Sequence, residues 1–223
     1  MTETRTDPKA FVDGLVDEMK QLFDRLEERE TLEAESGGDV AMVTLLKLAL
    51  ESELEAAELA GSWIASTPEP DVKSMFARQA ADEMKHYEMI RDRLLELGES
   101  EESLSPSPTR SALYQYLQTL RTTPERIAAG PFAREAVAEV RNQQFIDFCE
   151  ESGDAETLRL YTEVIQPEEI EHNRLGRELL ERYAVTPSEQ SAAATAMRAS
   201  LAIAEELSSL TEATTGLSPI PVS

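Results

Sequence analysis

The chain is short of several things, and each shortage removes a class of answers. A single cysteine, Cys149, excludes an internal disulfide and any zinc site built from cysteine pairs. Glycine is scarce, with 9 in 223 residues, and alternating runs of β-branched residues are missing, so a strand-rich fold is not expected. Basic residues are outnumbered: 21 Lys and Arg face 44 Asp and Glu, a formal charge of −23. That balance repels phosphate backbones and anionic lipid headgroups, so neither nucleic acid nor a membrane surface is an expected partner. Long apolar runs are absent too. The most hydrophobic stretch, residues 41–50, is short and carries Lys47, and residues 1–10 have no apolar core of the kind a signal peptide needs, which points to a cytoplasmic location.

What is present is Ala, Leu, Glu and Arg at helical spacing, with 41% hydrophobic residues, enough for the core of one all-α domain over 1–223. Phe11, Leu15, Met19, Leu22 and Leu26 form one stripe of a first helix over 8–34, closed by Gly37-Gly38. Asp39 is placed to cap a second helix over 40–66, and a proline-rich turn at 67–71 leads to a third that ends near Leu97, the two making an antiparallel hairpin. Residues 98–110 read as an exposed crossover, followed by a short helix over 111–120. After a turn around Pro124, Gly130-Pro131 opens a second core hairpin, 131–184, which turns at Ser152-Gly153-Asp154 and should kink at Pro167. Thr186-Pro187-Ser188-Glu189 has the form of a capping box for a last helix over 187–211, with a tail at 212–223.

Function enters through His86 and His172, the chain's two histidines. Each lies three residues after a glutamate, in Glu83-Met84-Lys85-His86 and Glu169-Ile170-Glu171-His172, and both motifs fall inside expected helices. Residues i and i+3 share a helix face, so each motif aims one carboxylate and one imidazole at a single point. Each is preceded by an acid, Asp82 or Glu168, which can accept the spare imidazole N–H from across the bundle and fix the ligating tautomer. A two-ion site then needs one more inward glutamate from each partner helix at the same height. Reflecting Glu83 through the first turn gives position 54, beside Glu53 and Glu55; reflecting Glu169 through the second gives 137, between Glu135 and Glu139. His86 and His172 are 86 residues apart, as are Glu83 and Glu169, and Glu53 and Glu139 keep that spacing. A gapless repeat of the two hairpins therefore selects Glu53, ahead of Glu51 or Glu55, and Glu139, ahead of Glu135.

Glu53, Glu83, His86, Glu139, Glu169 and His172 offer four carboxylates and two imidazoles, a hard donor set that suits iron or manganese and leaves positions for dioxygen or peroxide. The set resembles the ligand pattern of the ferritin-like di-iron carboxylate superfamily, which includes ferritins, rubrerythrins and di-iron oxygenases, over residues 40–97 and 131–184. The resemblance implies a ferritin-like four-helix bundle of two hairpins with added terminal helices, holding two iron ions or an Fe/Mn or Mn/Mn pair. It implies an oxidoreductase that activates dioxygen or peroxide, with a small organic substrate and an electron donor as further partners. It also suggests Glu135 as an additional, labile ligand. Alternatives are a ferroxidase, iron-handling or peroxide-defence protein, and a non-catalytic structural subunit or interaction bundle. The extra helices could build a dimer face, and a homodimer is expected. Tyr87, Tyr161, Trp63 and Phe145 read as core aromatics, and Cys149 as a small buried hydrophobe.

Overall fold

The computed structural model describes the backbone of residues 6–34 and 42–215, and the side chains of 6–21, 23 and 42–204. The expected cap Asp39, the Gly37-Gly38 stop, the side chains of Leu22 and Leu26, and residues 216–223 of the tail lie outside that range. Every regular element among the described residues is a helix and none is a strand: α1 (Pro8–Ala34), α2 (Met42–Ser66), α3 (Pro70–Glu96), α4 (Ala112–Leu117), α5 (Thr123–Ile127), α6 (Glu135–Ser152), α7 (Ala155–Leu160), α8 (Gln166–Tyr183) and α9 (Pro187–Thr215). No helix among them is long and apolar enough to cross a membrane.

On α3 the buried residues Val72, Phe76, Gln79, Glu83, His86, Ile90 and Leu94 recur every three or four positions and form one inward stripe. Apolar side chains hold both ends of that stripe, and three polar ones hold its middle. The same interruption occurs on α8, where Glu169 and His172 lie between buried Ile165 and buried Leu180. Two apolar layers result. One contains Trp63, Phe76 and Phe132; the other contains Leu46, Ile90, Leu94, Phe145 and Ile165. The polar residues lie between them, shielded from water on both sides.

Helices α2 and α3 are antiparallel: Trp63 packs on Phe76 with ring centroids 5.1 Å apart, while earlier in α2 Glu53 meets His86, later in α3. The crossover that follows is exposed for most of its length, but it is tied down along one face of α2. Ser107 N–H donates to Glu51 at 2.9 Å, Ser111 N–H to Glu55 at 2.7 Å, Arg110 to Glu58 at 2.6 Å and Gln118 to Ser62 at 3.1 Å. Glu51 and Glu55 therefore anchor a loop. Within the crossover Leu104 is buried in a short 3-10 turn, and the helix expected over 111–120 spans only Ala112–Leu117.

The second hairpin differs from expectation where it begins. Residues 123–127, expected to be a turn, form α5, and the chain continues through a π-helical stretch, Ala128–Arg134, into α6. Gly130 there has non-helical torsions (φ −87°, ψ −105°), and Pro131 has no N–H to bond, so the helix kinks where a fresh start was expected. The kink lies close against α8: a Cβ on Gly176 would come within 2.7 Å of the Pro131 carbonyl carbon. At the far end Gly153 takes the left-handed conformation (φ 76°) that closes α6. The break expected at Pro167 takes the form of a second π-helical stretch, Tyr161–Ile165, just before α8. Pro167 then occupies the first turn of α8, where its missing N–H costs least. The Thr186/Glu189 capping box is made, with Thr186 N–H donating to Glu189 at 2.8 Å and Glu189 N–H to Thr186 at 3.3 Å. Helix α9 runs to Thr215, past the expected end at 211.

Candidate metal centre

Four helices converge on the polar layer. Within it, one ligand atom each from Glu53, Glu83, His86 and Glu169 lie within 4.8 Å of one another, and so do one each from Glu83, Glu135, Glu169 and His172. Glu83 and Glu169 belong to both groups, so the arrangement is two adjacent positions sharing two carboxylates, each with its own glutamate and histidine. All six residues are at most 2% exposed.

The imidazoles point the same way. His86 Nδ1 lies 3.6 Å from Glu53, 3.4 Å from Glu83 and 3.5 Å from Glu169; His172 Nδ1 lies 3.5 Å from both Glu83 and Glu169. The outer nitrogens are held across the α3–α8 seam. His86 Nε2 pairs with Glu168 at 2.9 Å and His172 Nε2 with Asp82 at 3.1 Å, so each helix supplies the acid that orients the other helix's histidine. Once a cation displaces the inner proton, a carboxylate at Nε2 would keep the outer proton there and leave the Nδ1 lone pair facing inward. Lys85 in turn pairs with Glu168, and Arg78 lies 3.6 Å from Asp82.

Eight atoms of the cluster are buried without any hydrogen-bond partner: both oxygens of Glu53 and of Glu169, one oxygen each of Glu83 and Glu135, and Nδ1 of both histidines. Burial pushes Glu53 up to about 8, against the pull of His86. Burial, with the negative charges of Glu169 and Glu83, holds Glu135 well above the usual carboxylate range. Glu83 and Glu169 are as deeply buried, but contacts with both histidines outweigh that and keep them low. For the histidines burial opposes protonation, yet the surrounding carboxylates win; His172 rises to about 12, and His86 is raised as well. Without metal these directions set protonated histidines against the low carboxylates of Glu83 and Glu169, with Glu53 and Glu135 drawn toward the neutral form.

Glu53, Glu83, His86, Glu169 and His172 are thus brought together as the sequence spacing suggests, with Asp82 and Glu168 on the outer nitrogens. Glu139 is not in either group, and Glu135 takes that place. The two are four residues apart and share a helix face, so only height along α6 separates them. A gapless repeat selects Glu139, and the second hairpin departs from that repeat: Glu135 and Glu169 are 34 residues apart, against 30 for Glu53 and Glu83. Its arms are longer, and one extra residue is taken up in the π-helical stretch before α8. Glu139 sits one turn away, half-buried, raised to about 7 by burial and by the charge of Glu169. Gln79 was missed by the sequence reading. Its amide donates to Glu135 and, at 3.4 Å, to Glu83, and its place on the α3 stripe one turn before Glu83 was the available signal. Comparison with protein-family models, with curated proteins and with solved structures finds no match to this chain.

Proposed function

We propose that the chain is a ferritin-like dinuclear metal protein, an oxidoreductase that activates dioxygen or peroxide, with iron as the first choice of metal and manganese as the alternative. The observation that carries the reading is the convergence of four buried carboxylates and two imidazole Nδ1 atoms on one dry layer. Eight of their atoms make no hydrogen bond there, and six of those eight meet only in ion-pair contacts of 3.4–3.6 Å, an arrangement costly to bury unless a cation completes it. Four carboxylates neutralise two divalent ions, and hard oxygen donors with one imidazole per ion suit iron or manganese. A bound pair of such ions supplies the one-electron steps that reduction of dioxygen or peroxide requires.

The chain's own residues supply the rest. Asp82 and Glu168 hold the histidine protons on Nε2, Gln79 steers Glu135, and the two apolar layers keep water away. Glu83 and Glu169, which belong to both groups, would be shared by the two ions. The test is metal content per chain after expression with iron and manganese in excess, for the wild type and for His86→Ala and His172→Ala. About two ions in the wild type and a loss of metal with the helical fold retained in both variants support the reading. No metal in the wild type, even after anaerobic Fe(II), leaves the cluster as a polar core and overturns it.

A further inference from the structure

The two positions of the centre differ in how each one's own carboxylate is held. The shared carboxylates treat them alike: Glu83 turns Oε2 to His86 and Oε1 to His172, at 3.4 and 3.5 Å, and Glu169 turns Oε1 to His86 and Oε2 to His172, both at 3.5 Å. Each position adds one histidine Nδ1. What remains is Glu53 on one side and Glu135 on the other. Neither oxygen of Glu53 has a hydrogen-bond partner, whereas Glu135 has one such oxygen, Oε2, because Gln79 donates to its Oε1.

Gln79 lies one turn before Glu83 on the inward stripe of α3 and is only 4% exposed. Its amide nitrogen also reaches Glu83 at 3.4 Å, on Oε1, the oxygen that faces His172. An amide nitrogen has two N–H groups, one for each of these carboxylates, and both bonds fall on the Glu135–His172 side. At the 86-residue spacing that relates Glu83 to Glu169, the counterpart of Gln79 is Ile165. That residue is fully buried in an apolar layer and has no side-chain donor. The two halves of the centre are thus related in their ligands but not in this support.

We propose that Gln79 is a positioning residue for the Glu135–His172 position alone, and that the two ions are therefore held unequally. This rests on the dinuclear reading and deepens it. Glu135 meets its ion already oriented, with Oε1 tied and Oε2 free, so it ligates through one oxygen and loses little freedom on binding. Glu53 meets its ion with both oxygens untied and can use either or both. Turning Glu135 to give both oxygens would break its bond to Gln79 and strand an N–H in a dry layer, which keeps the two positions different.

Gln79→Met, which keeps the length of the side chain and removes its N–H groups, tests this by anaerobic titration with Mn(II) against a chelator, giving a dissociation constant for each ion. One constant should rise by about 10- to 100-fold while the other stays within about twofold of wild type. In a Glu135→Gln background the same substitution should leave the affinity for the remaining ion within about twofold, because the carboxylate that depends on Gln79 is already gone. In a Glu53→Gln background it should again cost about tenfold or more. Two constants that rise together, or a further loss in the Glu135→Gln background, make Gln79 a general support of the layer and overturn the proposal. Constants that both stay unchanged overturn it as well. Gln79→Leu, with helicity checked by circular dichroism, replaces Gln79→Met if that variant does not fold. Wild type that binds neither Mn(II) nor Fe(II) overturns the dinuclear reading and this one with it.

Discussion

Two divalent ions entering this cluster must displace protons, and the structure gives their number. Glu53, raised to about 8, and Glu135, held well above the usual range, are neutral carboxyls at pH 7. His86 and His172 are both raised and protonated. Ligation requires ionised carboxylates and neutral imidazoles, so filling both positions expels about four protons, two from carboxyls and two from imidazoles. The exchange is electroneutral, because two divalent ions replace four unit charges, and this is why a buried site can accept them at all. The assay is anaerobic Fe(II) or Mn(II) titration in weakly buffered solution at pH 7, with released acid measured by pH-stat. Near pH 9 Glu53 is already ionised before metal arrives, and the count should drop to about three. Glu53→Gln should release about three at pH 7 for each pair of ions it still binds. Fewer than two protons per pair of ions, or an unchanged count in Glu53→Gln, refutes the assigned protonation states.

Metal-free protein should lose stability as pH rises from about 5 to 9. Glu53, with a folded value of about 8 against 4.5, destabilises increasingly between those values, and the contribution of His172, raised from 6.5 to about 12, is full below 6.5 and declines steadily as pH rises from there toward about 12; the thermal midpoint followed against pH checks the sign, and loading with metal should flatten the curve. Glu135→Gln should reduce the bound metal below two ions while Glu139→Gln keeps both, read by elemental analysis; the reverse pattern would restore Glu139 as the ligand. Asp82→Asn and Glu168→Gln should each weaken metal binding by about 10- to 100-fold in competition with a chelator, since each leaves one imidazole without the acid that orients it. Gly176→Ala puts a Cβ within 2.7 Å of the Pro131 backbone and should destabilise by about 1–3 kcal/mol, or about 2–4 °C in Tm for each kcal/mol; an unchanged Tm would mean the kink yields freely.

Much of this was legible in the sequence, for identifiable reasons. Helix class followed from composition and from the stripe Phe11, Leu15 and Met19 of the first helix, because burial on one face imposes a period that a reader can count. The Glu-x-x-His pairs were legible because i and i+3 share a face whatever the helix boundaries are. Glu53 was separable from Glu51 and Glu55, and the structure shows the latter two occupied with Ser107 and Ser111 of the crossover. What could not be read was height along α6. Glu135 and Glu139 differ by one helical turn and by nothing in phase, and the deciding quantity was the length of each hairpin arm. Part of that length is taken up in the π-helical stretch before α8, whose sequence trace is Pro167. A proline announces that a regular helix is disturbed, but not whether the chain breaks, kinks or absorbs a residue.

The crossed pairing of histidines and acids over the α3–α8 seam makes the centre a test of assembly. Each hairpin can collapse on its own local contacts, because its two arms are close in sequence. Neither carries a complete site, and neither orients its own histidine: His86 depends on Glu168, and His172 on Asp82. Sliding one hairpin along the other by a single residue uncouples both pairs at once, so metal uptake reports whether the two halves have docked in register. On the dinuclear reading, a chain mispaired at the seam would stay empty, and a filled one would be held against slippage by its ions.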